Sequence, residues 1–331
     1  MPPGIAEVRA AAARIAPWVS RTPVLTSRTL DELAGASLHF KCENFQRTGA
    51  FKARGAHNAV LSLDPASIAR GVVTHSSGNH AAALTLAARN AGTRAYVAMP
   101  RDAPLTKVES VRRLGGEIEF CEPTLAAREA CCAAVRERTG AVLVHPYDDW
   151  DVIAGQGTAA LELAEEVDAL QALVVPVGGG GLLAGSTVVG RALGIEVYGA
   201  EPAAVDDARR SLEIGVRQPP TGRETIADGL RASLGERPFA VIRHQAAGIA
   251  TVSEEAIVAA MRLVWGVMKT VIEPSSAVAV AAVLGGGMGL AGKRVGVILS
   301  GGNVDLDSLP WTHGHAAPDD LRAPPARRSD P

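Results

Sequence analysis

Between Val72 and Val144, short apolar runs alternate with helical periodicity. The pattern predicts strand Val72 to Thr74, helix His80 to Arg89, strand Arg94 to Met99, helix Leu105 to Leu114, strand Glu117 to Cys121, helix Leu125 to Arg138 and strand Ala141 to Val144. Four strands alternating with three helices imply a small parallel sheet of its own. Upstream, Ile5 to Ile15 reads as a short helix stopped by Pro17, Ser27 and Gly35 frame a second helix as N-cap and C-terminal stop, and Ser37 to Cys42 is a strand. Downstream, a helix is expected from Gly155 to about Val167, followed by strand Leu173 to Val177, a helix ending at Leu193 and strand Glu196 to Ala200. Ser253 to Lys269 is an amphipathic helix with Glu254 and Glu255 in its first turn, where acids favour the helix dipole. Ser275 to Leu284 is a small-residue helix, and Arg294 to Leu299 is the last strand. Ala203 to Ala247 resists assignment, apart from a loop marked by Pro219, Pro220 and Gly222. There is no internal repeat. The expected class is α/β in two lobes of parallel sheet flanked by helices: residues 1–64 and 148–312 form the larger lobe, residues 65–147 the smaller, and 313–331 a disordered tail.

Composition narrows this picture. Hydrophobic residues make up 47% of the 331 positions and charged residues 21%, enough for a sizeable core, and the low aromatic share of 4% suits helices packed closely on parallel strands. A formal net charge of -2 gives no reason to expect nucleic acid or an anionic membrane as partner. Cys42, Cys121, Cys131 and Cys132 show neither CxxC spacing nor a paired framework, which fits a reducing, cytoplasmic setting. Glu7, Arg9 and Arg14 interrupt the N-terminal apolar run, so it lacks a signal-peptide core, and no apolar window is long enough to span a membrane.

The candidate chemistry gathers at strand ends, where parallel sheets bind ligands. Gly178, Gly179, Gly180 and Gly181 join an apolar strand to a helix, so their N–H groups can converge on an anion, and a phosphate is the natural ligand. The same letters satisfy a looser dinucleotide fingerprint, Gly179-x-Gly181-x-x-Ala184 with Glu201 at the end of the next strand, which keeps an NAD-dependent dehydrogenase as a rival. Ser76, Ser77, Gly78, Asn79 and His80 supply hydroxyls, an amide and a helix N-terminus suited to a carboxylate or a phenolate-like oxygen, and Ser300 is a further strand-end hydroxyl. Lys52 follows a Thr48-Gly49 turn and opens an Ala-rich helix. A lysine near a helix start and partly desolvated has a lowered pKa, and a neutral amine can form a Schiff base.

Taken together and in order, ENFQRTGAFKARGA, SSGNH, HPYDD with IAGQGT, PVGGGGLLAG, YGAEP, ETIADGL, EPSSAVA and LSGGN resemble the pyridoxal-phosphate enzymes of the tryptophan-synthase-β-like fold type II. Within them the chain is similar to the threonine/serine dehydratase (ammonia-lyase) and serine racemase family, over about Ile5 to Leu309. The resemblance implies that Lys52 bears the Schiff base, that Phe51 packs on the cofactor ring, that Asn79 bonds the ring 3-oxygen, and that Gly178 to Gly181 with Leu182 hold the phosphate. It further implies that Ser300 bonds the pyridine nitrogen and that Ser76, Ser77 and His80 surround the substrate carboxylate. In the racemase-like branch, Glu201, Val205 and Asp207 would hold Mg²⁺ or Ca²⁺ through two carboxylates and one main-chain carbonyl. The family implies a small amino-acid substrate and a homodimer or higher homo-oligomer.

A neutral hydroxyl at Ser300 cannot keep a pyridine nitrogen protonated as an aspartate would, so loss of a β-leaving group is favoured over transamination. The expected reaction is β-elimination from L-threonine or L-serine to a 2-oxo acid and ammonia, with Lys52 taking the α-proton. The rivals on the same scaffold are serine racemisation, with Ser77 as the second acid/base, and dehydration of another 3-hydroxy amino acid. Ala50 replaces the serine that many relatives carry before Phe51-Lys52. Ala232 replaces a serine of the racemases, which puts racemisation in doubt. The allosteric extension of the biosynthetic threonine dehydratases has no counterpart, so isoleucine feedback is not expected.

Overall fold

The computed structural model describes residues 1–76 and 78–311; Ser77 and residues 312–331, which include the expected tail, fall outside the described residues. Ten strands occur among them: β1 (Val24–Leu25), β2 (Ser37–Cys42), β3 (Val72–Thr74), β4 (Ala95–Pro100), β5 (Glu117–Cys121), β6 (Val142–Leu143), β7 (Ala172–Pro176), β8 (Glu196–Pro202), β9 (Gly248–Val252) and β10 (Arg294–Leu299). They form a six-stranded sheet, β1-β2-β10-β7-β8-β9, and a four-stranded sheet, β5-β4-β3-β6. Every pairing is parallel except β1 with β2. Parallel neighbours need a crossover, and helices supply it.

The helices are α1 (Ile5–Ile15), α2 (Arg28–Ala34), α3 (Lys52–Leu61), α4 (Pro65–Arg70), α5 (Asn79–Asn90), α6 (Leu105–Leu114) and α7 (Leu125–Thr139). They continue with α8 (Trp150–Glu166), α9 (Gly181–Leu193), α10 (Asp207–Ile214), α11 (Glu236–Gln245), α12 (Glu254–Met268) and α13 (Pro274–Leu284). One face of the larger sheet packs on α2, α12 and α13 through Leu30, Met261, Val278 and Val297. The other packs on α1, α8, α9 and α11 through Val8, Ile153, Leu183, Ile242 and Ile298. The smaller sheet meets α3 and α5 through Val72, Ala56 and Leu84, and α7 through Val73, Tyr96 and Val135. No helix among the described residues is long and apolar enough to cross a membrane.

Two departures from the sequence expectations have physical causes. Helix α8 starts at Trp150 rather than Gly155, because the Asp149 side chain accepts from the amides of Asp151 and Val152 and caps it there. Gly155 lies inside the helix because it allows close approach: a Cβ on it would stand 2.7 Å from the Gly55 Cα of α3. The unassigned segment after Ala203 contains α10 and α11, with β9 following as the edge strand of the larger sheet.

A buried charge cluster locks α3 onto α8. The guanidinium of Arg54, fully buried, bonds both oxygens of buried Glu43 at 2.7 and 2.8 Å and both of Glu162 at 2.7 and 2.8 Å. Such fork-to-fork pairing offsets the desolvation of a buried arginine and fixes direction. Lys52, two residues earlier, thereby starts a helix whose placement is rigid.

Candidate active site

Three chain segments converge on Lys52. The turn before it, with Thr48 at φ 62° and Gly49 at φ 73°, is stitched to the loop after β10: Gly302 N–H donates to the Gly49 carbonyl at 2.9 Å, and Phe51 N–H donates to the Ser300 carbonyl at 3.0 Å. From the segment before α8, the Pro146 carbonyl accepts the Lys52 Nζ proton at 2.8 Å. Burial lowers the Lys52 pKa to about 8, against the opposing pull of the Glu273 carboxyl. A substantial fraction of the amine is therefore neutral near physiological pH. The Phe51 ring lies 5.0 Å from Nζ.

The glycine run leaves β7 and enters α9, with Gly180 at φ 87° as N-cap. The loop is enclosed on several sides. A Cβ on Gly178 would come within 2.8 Å of the Leu230 backbone, one on Gly179 would enter the Tyr147 ring, and one on Gly180 would meet Leu234 and Pro238 at 2.5 and 2.8 Å. Leu182, buried, follows in the first turn of α9, whose N–H groups lack intrahelical acceptors. An open N-terminal turn beneath a side-chain-free loop is suited to a phosphate. Tyr147 stands edge-on to His145, with centroids 4.6 Å apart, and His145 stands edge-on to His75 at 5.0 Å. This aromatic wall links the glycine loop to Pro146 and Lys52; His145 and Tyr147 were read in the sequence only as part of the HPYDD motif, and His75 was not read at all.

Asn79, first residue of α5, donates from Nδ2 to the Glu273 carboxylate at 3.0 and 3.2 Å and accepts at Oδ1 from Asn303 Nδ2 at 2.9 Å. Glu273 is enclosed, and burial pushes its carboxyl up to about 7. Glu273 and Asn303 entered the sequence reading only inside the EPSSAVA and LSGGN motifs, with no role of their own; the available signal for Glu273 was an acid set directly before the Pro-Ser-Ser start of an otherwise apolar helix. Ser300 is buried at the end of β10. Half-buried Ser76 accepts from Gly78 N–H at 3.4 Å through its hydroxyl, and Ser77, the expected second acid/base, falls outside the described residues.

His80 has a defined tautomer. Its Nε2 lies 3.3 Å from the Val144 carbonyl, so that nitrogen carries the proton, and buried Nδ1 has no partner among the described residues. Burial, reinforced by Lys52, holds the ring well below its ordinary pKa and therefore neutral. The imidazole presents a lone pair, so any donor that His80 offers to a carboxylate is its main-chain N–H in the first turn of α5.

Glu201 and Asp207 flank the 3₁₀ turn that ends at Val205. Glu201 accepts from the amides of Ala208 and Arg209 at 3.3 and 2.6 Å, and Asp207 from Leu234 N–H at 2.9 Å. Burial raises both carboxyls, Glu201 to about 8 with Asp207 adding to its shift. No group of three or more His, Cys, Asp or Glu side chains among the described residues is arranged to hold a metal.

Comparison with known proteins decides the cofactor class. Residues 15–301 match the family described as "Pyridoxal-phosphate dependent enzyme". The chain belongs to that family. It is 50% identical to the beta-hydroxyaspartate dehydratase of Paracoccus denitrificans, over 93% of this chain and 99% of the relative. Among solved structures it is similar to the serine racemase of Dictyostelium discoideum, with TM-score 0.88 and 46% identity over 92% of this chain and 99% of the other. It is equally similar in sequence to the threonine deaminase of T.th., with TM-score 0.85 and 46% identity over 92% and 99%. The fold is that of the fold type II pyridoxal-phosphate enzymes.

The residues fit this cofactor on their own geometry: a buried amine of lowered pKa, an anion-binding helix end with no space for a Cβ, and a polar amide at Asn79. The NAD-dependent alternative is set aside by the family.

Proposed function

We propose that the protein catalyses β-elimination from a 3-hydroxy amino acid, releasing a 2-oxo acid and ammonia, with pyridoxal phosphate held by Lys52, Phe51, Asn79, Gly178 to Gly181, Leu182 and Ser300. Bound there, the cofactor supplies the electron sink that acidifies the Cα proton of an amino acid. Lys52 Nζ accepts that proton, and the Pro146 carbonyl holds the amine in place. The Ser300 hydroxyl faces the ring nitrogen as a neutral partner, and the hydroxyls of Ser76 and Ser77 hold the substrate carboxylate.

The observation that carries elimination over racemisation concerns proton carriers. Racemisation requires a second group to protonate Cα on the face opposite Lys52. Among the described residues near Lys52, His80 and His145 are held neutral by burial, His145 with its pKa pushed down to about 4, and Glu273 is occupied by Asn79 and Asn303. That leaves Ser77, and a serine hydroxyl is a poor acid. The names of the relatives support both reactions: beta-hydroxyaspartate dehydratase and threonine deaminase on one side, serine racemase on the other.

The test is a panel of L-serine, L-threonine and 3-hydroxyaspartate, with 2-oxo acid followed by a coupled assay and D-amino acid by chiral chromatography. The proposal expects 2-oxo acid to exceed D-amino acid for the best substrate. Faster formation of D-serine than of pyruvate from L-serine would move the enzyme to the racemase reading.

We also propose that Glu201, Asp207 and the Val205 carbonyl bind Mg²⁺ or Ca²⁺. Two carboxyls whose pKa values burial raises are the donor set a hard cation would stabilise.

A further inference from the structure

The direction of the Asn79 amide can be read from a backbone carbonyl several bonds away. Asn303 Nδ2 donates to the Thr48 carbonyl at 2.8 Å, and a carbonyl can only accept, so the Asn303 amide cannot be reversed. Its Nδ2 also donates to Asn79 Oδ1 at 2.9 Å, which assigns that atom as oxygen. Asn79 Nδ2 must then face the Glu273 carboxylate, as it does at 3.0 and 3.2 Å. The remaining capacity of Glu273 is also used: Asn303 N–H donates to it at 3.2 Å. Reversing Asn79 would oppose two donors at Asn303 and two acceptors at Glu273.

The two oxygens of one carboxylate subtend too narrow an angle at Nδ2 to take both of its N–H groups. One proton is shared between them, and the other remains available. The chain Thr48, Asn303, Asn79, Glu273 thus has a fixed polarity, set by the loop after β10 and by the start of α13, that ends in one spare donor at the head of α5.

We infer that Glu273 and Asn303 are positioning residues that hold Asn79 as a hydrogen-bond donor, so that its spare N–H is the bond it gives to the ring oxygen of the cofactor. The inference rests on the cofactor site proposed above and adds two residues that act through a third. A donor at this point stabilises the ionised form of the ring oxygen, whereas a reversed amide would disfavour it.

The experiment uses the full-length apo-protein titrated with pyridoxal phosphate, wild type beside Asn79→Ala, Glu273→Gln, Asn303→Asp and the double variant Asn79→Ala/Glu273→Gln. Dissociation constants, the ratio of the cofactor's visible and near-ultraviolet bands, and apo-protein melting are recorded. Asn303→Asp keeps the shape but places a carboxylate against Thr48 O and Asn79 Oδ1, which turns Asn79 round. Each single variant is expected to weaken cofactor binding by about tenfold or more and to shift the band ratio in the same direction. The double variant should bind no more weakly than Asn79→Ala alone, since Glu273 acts through Asn79. Lower melting with unchanged affinity and band ratio in the folded variants would overturn the inference, as would an equal loss from Glu273→Gln in the Asn79→Ala background. If Glu273→Gln does not fold, Asn303→Asp reads the same claim from the other end of the chain. Wild-type protein that binds no cofactor at all would instead defeat the proposed function.

Discussion

Gly179→Ala gives the sharpest reading of how the glycine loop is built. The added Cβ would enter the Tyr147 ring, coming within 2.5 Å of Cδ2, a separation at which something must move. Tyr147 has little freedom to yield, because its ring stands at 90° against His145, which is braced on His75. Relief must come from displacing the segment that carries Pro146, the acceptor of the Lys52 proton. Overpacking of this kind costs about 1–3 kcal/mol. Urea unfolding of the apo-protein should register that loss as a lower midpoint at unchanged slope. Because the same displacement disturbs Lys52, cofactor affinity should fall as well, by about tenfold for each 1.4 kcal/mol transmitted. The origin is checked by a cycle with Tyr147→Ala, which removes the obstructing ring: in that background Gly179→Ala should cost almost nothing, giving a coupling of about 1–3 kcal/mol. If the alanine costs the same with and without the ring, the steric argument is wrong and the glycine is there for another reason.

Two further outcomes follow from the buried titratable groups. The Lys52 pKa lies at about 8 in the fold and near its ordinary 10.5 in the unfolded chain, so the unfolded chain holds the proton more tightly and stability rises with pH between those values. Wild-type apo-protein should therefore gain on Lys52→Met by up to about 3 kcal/mol between pH 8 and 10.5, the buried thiols cancelling in the comparison; a gap that stays flat with pH would refute the assignment. Replacing Glu201 and Asp207 together by alanine should abolish any rise in melting temperature on adding Mg²⁺ or Ca²⁺, whereas a wild-type protein that melts alike with chelator and with metal has no such site.

What could be read in the chain was what is locally encoded. Helix α2 carries its own boundaries, with the Ser27 hydroxyl accepting from Leu30 N–H and Gly35 at φ 62°, and both ends were legible. Strands β3, β5 and β10 were bounded by polar or glycine residues and read to the residue. The start of α8 was missed because Gly155 looks like a break until its neighbour, the Gly55 backbone of another helix, is known. The stretch after Ala203 was unreadable for a related reason: its amides and side chains bond over distance, as Leu234 N–H does to Asp207 and Gly229 N–H to the Ser275 hydroxyl. In the site, Lys52 and the glycine loop declare themselves through turn and strand-end chemistry. Glu273 does not, since its partner Asn79 lies 194 positions away and only the fold brings an acid beside it. His80 shows the converse limit: the motif located it, but which nitrogen carries the proton depends on the Val144 carbonyl.

The central claim is that Lys52 carries the cofactor. Holoenzyme is reduced with borohydride, digested, and the peptides mapped by mass. The account predicts loss of the visible absorption and a pyridoxyl group on the peptide containing Lys52, with Lys52→Ala retaining its fold but taking up no label. A label on any other lysine, or a Lys52→Ala protein that keeps both its colour and its turnover, would contradict it.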